Sequence, residues 1–220
     1  MEVSARFGFS LNIICADNIR IGDLISLGKF FKSCFSLISR RSLLFAATNA
    51  IYFGCIFAAA VLGQFLYEQL PYLGELGGVG EFFLGFDWPL IILSIFLFNL
   101  VLSSFVFVTL PGLVFFPLSV VALVVRAVFW GVMLNQLPTP LFLAVFPTLI
   151  LEGEAYVFAG VAGVDLGLSW LKPVLAYKDE NLSRSDAFKK ALKECLQVYV
   201  LVAMFLLVAA IVETYLIAHF

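Results

Sequence analysis

The chain has 220 residues, of which 63% are hydrophobic and only 13% charged, whereas soluble domains run to roughly one half apolar and one quarter charged. No soluble fold of this size hides so much apolar surface, so the composition excludes a water-soluble globule and implies a bilayer as solvent. A net charge of −2 excludes the basic footprint of a nucleic-acid binder.

Residues 1–42 are mixed in character and read as a cytoplasmic or interfacial N-terminal segment, with 43–220 as the transmembrane domain. The apolar stretch 7–15 is interrupted by Ser10 and Asn12, and no small-residue cleavage site follows it, so a cleaved secretory signal is not expected. Over 23–38, Leu24, Leu27, Phe31, Cys34, Phe35 and Ile38 recur at helical spacing, with Lys29, Lys32, Ser33 and Ser36 between them. That pattern predicts an amphipathic helix, either lying in the cytoplasmic interface or packed on the bundle.

About five spans are predicted after it, over 43–66, 89–109, 112–134, 141–171 and 197–220. Each reaches the roughly 20 residues needed to cross the hydrocarbon core. The expected fold is therefore all-α, a polytopic transmembrane helical bundle. Pro111-Gly112 predicts a very tight turn between the second and third spans. Pro147 predicts a kink or a break in the fourth, because proline deletes a bond of the helical ladder. Before the fifth span, Ser183 or Ser185 is placed to cap an amphipathic helix over 187–197 that runs into it.

Orientation follows from the basic residues. Of the 13 Lys and Arg, residues 1–42 hold Arg6, Arg20, Lys29, Lys32, Arg40 and Arg41, and the connection between spans four and five holds Lys172, Lys178, Arg184, Lys189, Lys190 and Lys193. Residues 67–88 hold none, but carry Glu68, Glu75, Glu81 and Asp87. With five spans both basic regions fall on one side, which the positive-inside rule makes the cytoplasm. The expectation is a multi-pass plasma-membrane protein with its N-terminus inside and its C-terminus outside. Leu76, Phe82 and Phe83 suggest that the outer loop dips into the interface, with Tyr67, Tyr72 and Trp88 at headgroup level.

Four ionisable residues fall where lipid is expected: Arg126, Glu152, Glu154 and Glu213. Each uncompensated charge at mid-bilayer costs at least about 2.5–3.5 kcal/mol, so such groups pair or line a cavity. Counted from the outer ends of their spans, Arg126 lies roughly 12 Å deep and Glu152 roughly 16 Å. An ion pair of Arg126 with Glu152 or Glu154 is expected, and Asn99 adds a polar side chain inside span two. Two residues turn a helix by about 200°, so Glu152 and Glu154 cannot share a face. Ala155, Ala159, Gly163 and Gly167, with Gly160 beside them, form a ladder of small residues that lets another helix come close. The buried polar set reads either as glue that holds helix register or as a polar pathway or ion site.

Span four, from Glu152 through Ala155, the Ala159-Gly160 pair and Gly163 to Gly167, resembles the signature helix of the stage II sporulation protein M family. Ala209-Ala210-Ile-Val-Glu213 resembles that family's closing Ala-Ala-x-x-Glu, and Asn99 and Gly131 fall on its Asn in span two and its Gly late in span three. The likeness covers residues 44–216. Two features depart from it: Pro147-Thr-Leu stands where members carry Pro-His-Gly, and Asn99 is flanked by Phe98 and Leu100 rather than by a second Asn. The resemblance implies a membrane anchor that gathers partner proteins; in spore formers such a protein collects cell-wall-degrading proteins during engulfment, and many relatives occur in organisms that make no spores.

A scaffold or complex subunit, working with protein partners or as a homo-oligomer within membrane lipid, is the first expectation. A permease or channel subunit using the buried charges is the second; with no G-x-x-x-x-G-K-[ST] loop it would need a separate ATPase. No enzyme is expected. His-Glu-x-x-His is missing, His219 is the single histidine, and Asp165 has no intramembrane Asp to match it. A lipid-processing reaction at Glu152 or Glu154 ranks third. Cys15, Cys34, Cys55 and Cys195 lack zinc-ligand spacing and read as apolar fillers, so no metal and no cofactor is expected.

Overall fold

The computed structural model describes residues 34, 37–69, 87–137, 139–178 and 180–219. The chain divides into two compact units, Met1–Arg40 and Arg41–Phe220. In the first unit only Cys34 and residues 37–40 are described, all helical. The amphipathic helix expected over 23–38 otherwise lies outside the described residues, as does the outer loop over 70–86.

The second unit is built from α1 (Ser42–Gln69), α2 (Trp88–Leu97), a π-helical segment (Phe98–Thr109), α3 (Leu110–Val114), α4 (Pro117–Gln136), α5 (Thr139–Leu171), the short α6 (Pro173–Ala176) and α7 (Arg184–His219). Among the described residues, five stretches are long and apolar enough to cross a bilayer: 42–63, 88–114, 117–135, 141–171 and 184–216. No strand occurs among the described residues. The bundle turns its large apolar side chains outward, Phe57, Phe65, Phe98, Leu102, Val121 and Leu143 among them. In hydrocarbon, unlike in water, such a surface is at no disadvantage, and helices satisfy every backbone group within the span.

Two expectations from the sequence are corrected. First, Pro111-Gly112 is not the turn between spans two and three. The helix continues to Val114, and the chain reverses at Phe115, whose backbone is extended (φ −150°, ψ 113°). Pro111 sits within α3, which continues directly from the π-helical segment. Gly112 serves contact instead: a Cβ there would stand 1.9 Å from Ser119 Oγ. Second, Pro147 does not break span four, since α5 runs uninterrupted through it. One proline removes one ladder bond, and the remaining turns of a helix in lipid have no competing water to unwind them. The amphipathic helix expected before span five does run into it: the two form one helix of 36 residues. Ser183 is its cap: Asp186 N–H donates to Ser183 Oγ at 3.2 Å, and Ser183 Oγ–H donates to Asp186 Oδ2 at 2.6 Å, which places an acid where the helix dipole favours it.

The π-helical segment was not legible as such. Its buried residues are Asn99, Ser103, Ser104, Val108 and Thr109. On an α-helix Ser104 would stand about 140° round from Asn99. The wider winding of an i→i−5 ladder gathers these residues on one face. Ser104 Oγ–H donates to the Asn99 carbonyl at 2.8 Å, holding the first wide turn.

Spans four and five share the most extensive contact, and spans one and three form a second pair. Backbones approach where side chains are smallest. A Cβ on Gly131 would lie 2.4 Å from the Ile56 carbonyl, one on Gly163 2.1 Å from Ser119 Oγ, and one on Gly167 2.2 Å from the Gly112 carbonyl. Gly160 receives the Leu123 side chain in the same way. Thr109 and Ser119 tie this knot further: Thr109 Oγ1 donates to the Ala159 carbonyl at 2.9 Å, and Ser119 Oγ to the Val108 carbonyl at 2.8 Å.

Candidate functional site

Arg126 is the central residue of the third span, 117–135, roughly 13 Å from either end at 1.5 Å per residue. Around it the helices assemble a closed set of polar groups. Asn99 comes from the first turn of the π-helical segment, and Glu152 and Tyr156 stand one turn apart on α5. Asn99 Nδ2 donates to Glu152 Oε1 at 2.8 Å, and Tyr156 Oη donates to Asn99 Oδ1 at 2.9 Å. Arg126 donates to Tyr156 Oη, lies 3.9 Å from Glu152 Oε2, and places its guanidinium 3.9 Å from the centre of the Tyr156 ring. Glu152, 2% exposed, thus has both carboxylate oxygens engaged. That is what keeps a buried charge tolerable, since taking it out of water costs several kcal/mol unless its lone pairs are met.

Of the residues singled out in the sequence, Asn99, Arg126 and Glu152 come together directly. Glu213, half-buried on span five, interacts electrostatically with both Glu152 and Arg126. Glu154 stands apart. It turns toward Asn49 of span one, and the ion pair of Arg126 forms with Glu152. Ala155 and Ala159 are wholly buried, while Gly160, Gly163 and Gly167 meet spans two and three.

Sequence reasoning missed four participants. Tyr156 follows Glu152 by four residues, a spacing that puts both on one helix face and could have found it. Tyr52, fully buried, packs its ring beside Gly153 and interacts with the charges of Arg126 and Glu152. The other two are Arg41 and Asp165, which form a second ion pair toward the end of the bundle that carries the basic connection. Arg41 Nε lies 2.9 Å from Asp165 Oδ1, and the same guanidinium donates to the Ala176 carbonyl of α6. In the sequence Arg41 serves only as an orientation signal, and Asp165 only as a carboxylate with no intramembrane Asp to match it. Among the described residues no group of three His, Cys, Asp or Glu side chains stands in position to hold a metal ion.

Five apolar helices wrapped around a charge cluster at their midplane define a polytopic integral membrane protein. Within that class the chain belongs to the stage II sporulation protein M family, whose model matches residues 42–216 and so takes in all five spans. No curated protein and no solved structure matches the chain.

Proposed function

We propose that this protein is a non-catalytic membrane scaffold or complex subunit that gathers partner proteins at the plasma membrane, with its N-terminus in the cytoplasm and its C-terminus outside. The observation that carries this reading is the knot of Gly112, Ser119, Gly163 and Gly167. Backbone meets backbone there at distances that leave no room for a single added carbon, and helices held so closely do not slide past one another. The ion pair of Arg126 with Glu152 serves the same end by fixing the register of spans two, three and four. The family relationship supports an anchoring role.

The test is gentle purification from the native host with identification of what accompanies the protein, alongside Glu152→Gln. A reproducible set of extracellular or wall-associated partners, lost in the variant, is expected. A lone, monodisperse protein together with a normally folded variant would overturn the reading.

A permease subunit is the second reading. It no longer has a broken fourth span in its favour, but the long π-helical segment beside a mid-bilayer charge cluster supports it, because wide turns mark sites where helices change shape. A co-purifying ATPase, and flux in liposomes that Glu152→Gln abolishes without loss of folding, would select it.

A further inference from the structure

A groove opens on the flank of the bundle where three span ends meet. Span two finishes at Val114, span four at Leu171, and span five starts at Arg184. Between these ends lies a space of about 560 Å³, lined by Leu113, Val114, Trp170, Phe188, Arg184 and Ser185. That is within the roughly 300–1,000 Å³ of sites that take small molecules. Four of the lining side chains are apolar or aromatic, and the other two stand at the first positions of α7. Trp170 is held in place. Its Nε1 donates to the Leu113 carbonyl at 2.8 Å, meeting an acceptor of the kind that a helix end leaves open. Arg184 and Phe188 are four residues apart and so share a face of α7. A guanidinium therefore stands one turn beyond an aromatic ring, on the side away from the hydrocarbon.

Two observations say what such a groove takes. First, it opens onto the lipid-facing surface of the bundle. Val114 is 68% exposed and Trp170 42%, and Phe115 and Val174 beside them are exposed as well. An apolar patch of this kind is a contact surface for membrane or ligand, and in a bilayer the groove is bathed in lipid. Second, its polar end is cationic. Arg184 forms no ion pair among the described residues. Asp186, close to it in sequence, turns instead to Ser183 at 2.6 Å, and residues two apart on a helix do not face each other. Lys172 and Lys189, both exposed, add positive charge at this end. A cation above an apolar slot, with a tryptophan between them at headgroup level, is complementary to an amphiphile with an anionic head.

We propose that this groove binds one anionic glycerophospholipid from the leaflet on that side. Its phosphate sits on the Arg184 guanidinium and the Ser185 hydroxyl, and one acyl chain runs between Phe188, Trp170 and Leu113. Such a lipid links the ends of spans two, four and five. The inference holds whether the bundle gathers partners or passes a solute.

The experiment is fluorescence quenching of the full-length protein in reconstituted bilayers. The chain has three tryptophans, so in a Trp88→Phe, Trp130→Phe background the emission comes from Trp170. Bilayers mix phosphatidylcholine with phosphatidylglycerol, with bromine on the chains of one lipid or the other. Phosphatidylglycerol is expected to displace phosphatidylcholine from Trp170 with a preference of about fivefold, the worth of one cation beside an anionic head. Arg184→Gln brings the preference down to about one. Lys178→Gln, at an exposed lysine of the same connection that does not line the groove, retains it. Equal quenching by the two lipids overturns the proposal, because the lipid at Trp170 is then ordinary solvent. So does an equal loss of preference in Arg184→Gln and Lys178→Gln, which would mean that the charge of the whole end acts without a site. Quenching by neither lipid also overturns it and points to a protein occupant, such as a second copy of this chain. If the tryptophan replacements do not fold, thermal unfolding of the otherwise unaltered protein in detergent decides. Added phosphatidylglycerol is expected to raise the midpoint by several degrees over phosphatidylcholine, and Arg184→Gln to abolish the difference. A midpoint indifferent to the choice of lipid overturns the proposal.

Discussion

Glu152 and Arg126 are not equivalent halves of their ion pair. Removing the guanidinium leaves the buried Glu152 carboxylate with no cation beside it, whereas neutralising Glu152 leaves Arg126 its contacts with Tyr156. Arg126→Met is therefore expected to cost about 3–5 kcal/mol, the usual penalty for orphaning a buried charge. Glu152→Gln is expected to cost only about 1–3 kcal/mol, the price of a disturbed hydrogen-bond set. Unfolding of both variants in detergent checks the order, and equal losses would refute the asymmetry. The charged members of the cluster were readable in the sequence because ionisable residues stand out against an apolar background. The phenols were not, because tyrosine is also an ordinary resident of membrane interfaces, and only packing sets Tyr52 and Tyr156 inside the bundle. Arg41 was hidden for a related reason: a basic residue at a span boundary already had an explanation in the topology.

Among the elements, glycine contacts sort substitutions that look alike on paper. Gly54 has open space at its Cβ position, while a Cβ on Gly167 would lie 2.2 Å from the Gly112 carbonyl and 2.9 Å from the Phe116 Cα. Gly54→Ala is expected to leave stability unchanged or raise it by up to about 1 kcal/mol, since alanine loses less chain entropy in a helix. Gly167→Ala must push rigid backbone aside and is expected to cost about 1–3 kcal/mol. Unfolding midpoints of the two variants measured side by side test this, and a Gly167→Ala as stable as Gly54→Ala would show that the helices are not in close contact there. The position of the small-residue ladder was legible from its spacing of four. Its partners were not, because nothing local in span four says which helix it meets. The misplaced turn at Pro111 and the unseen π-helical segment have a common source. Pattern reading assumes one winding per helix, and Asn99, Ser103, Ser104 and Thr109 only fall into line when the winding changes. The unbroken α5 removes only the break from the two outcomes expected at Pro147, because one proline stands against a ladder of 33 residues.

For the whole molecule, the number of spans followed from length and apolarity alone, and all five fall within a few residues of their expected places apart from the early start of the fifth. Sidedness rests on the two basic regions. Single cysteines introduced at Gly78 and at Lys178 in a cysteine-free background are expected to react with an impermeant maleimide from outside at the first position and not at the second. The reverse labelling would invert the proposed topology. A final consequence follows from the continuity of α7. At 1.5 Å per residue its 36 residues make a rod of about 54 Å, against a hydrocarbon thickness of about 30 Å. Its first turns carry Lys189, Lys190 and Lys193 and are moored to the preceding connection, where Tyr177 donates to Glu194 at 2.9 Å and Lys190 pairs with Glu180. The far end carries Glu213. With no joint along its length, the helix is a lever through the membrane: torque applied to the lysine-bearing stub on one side arrives as rotation of a carboxylate near the other.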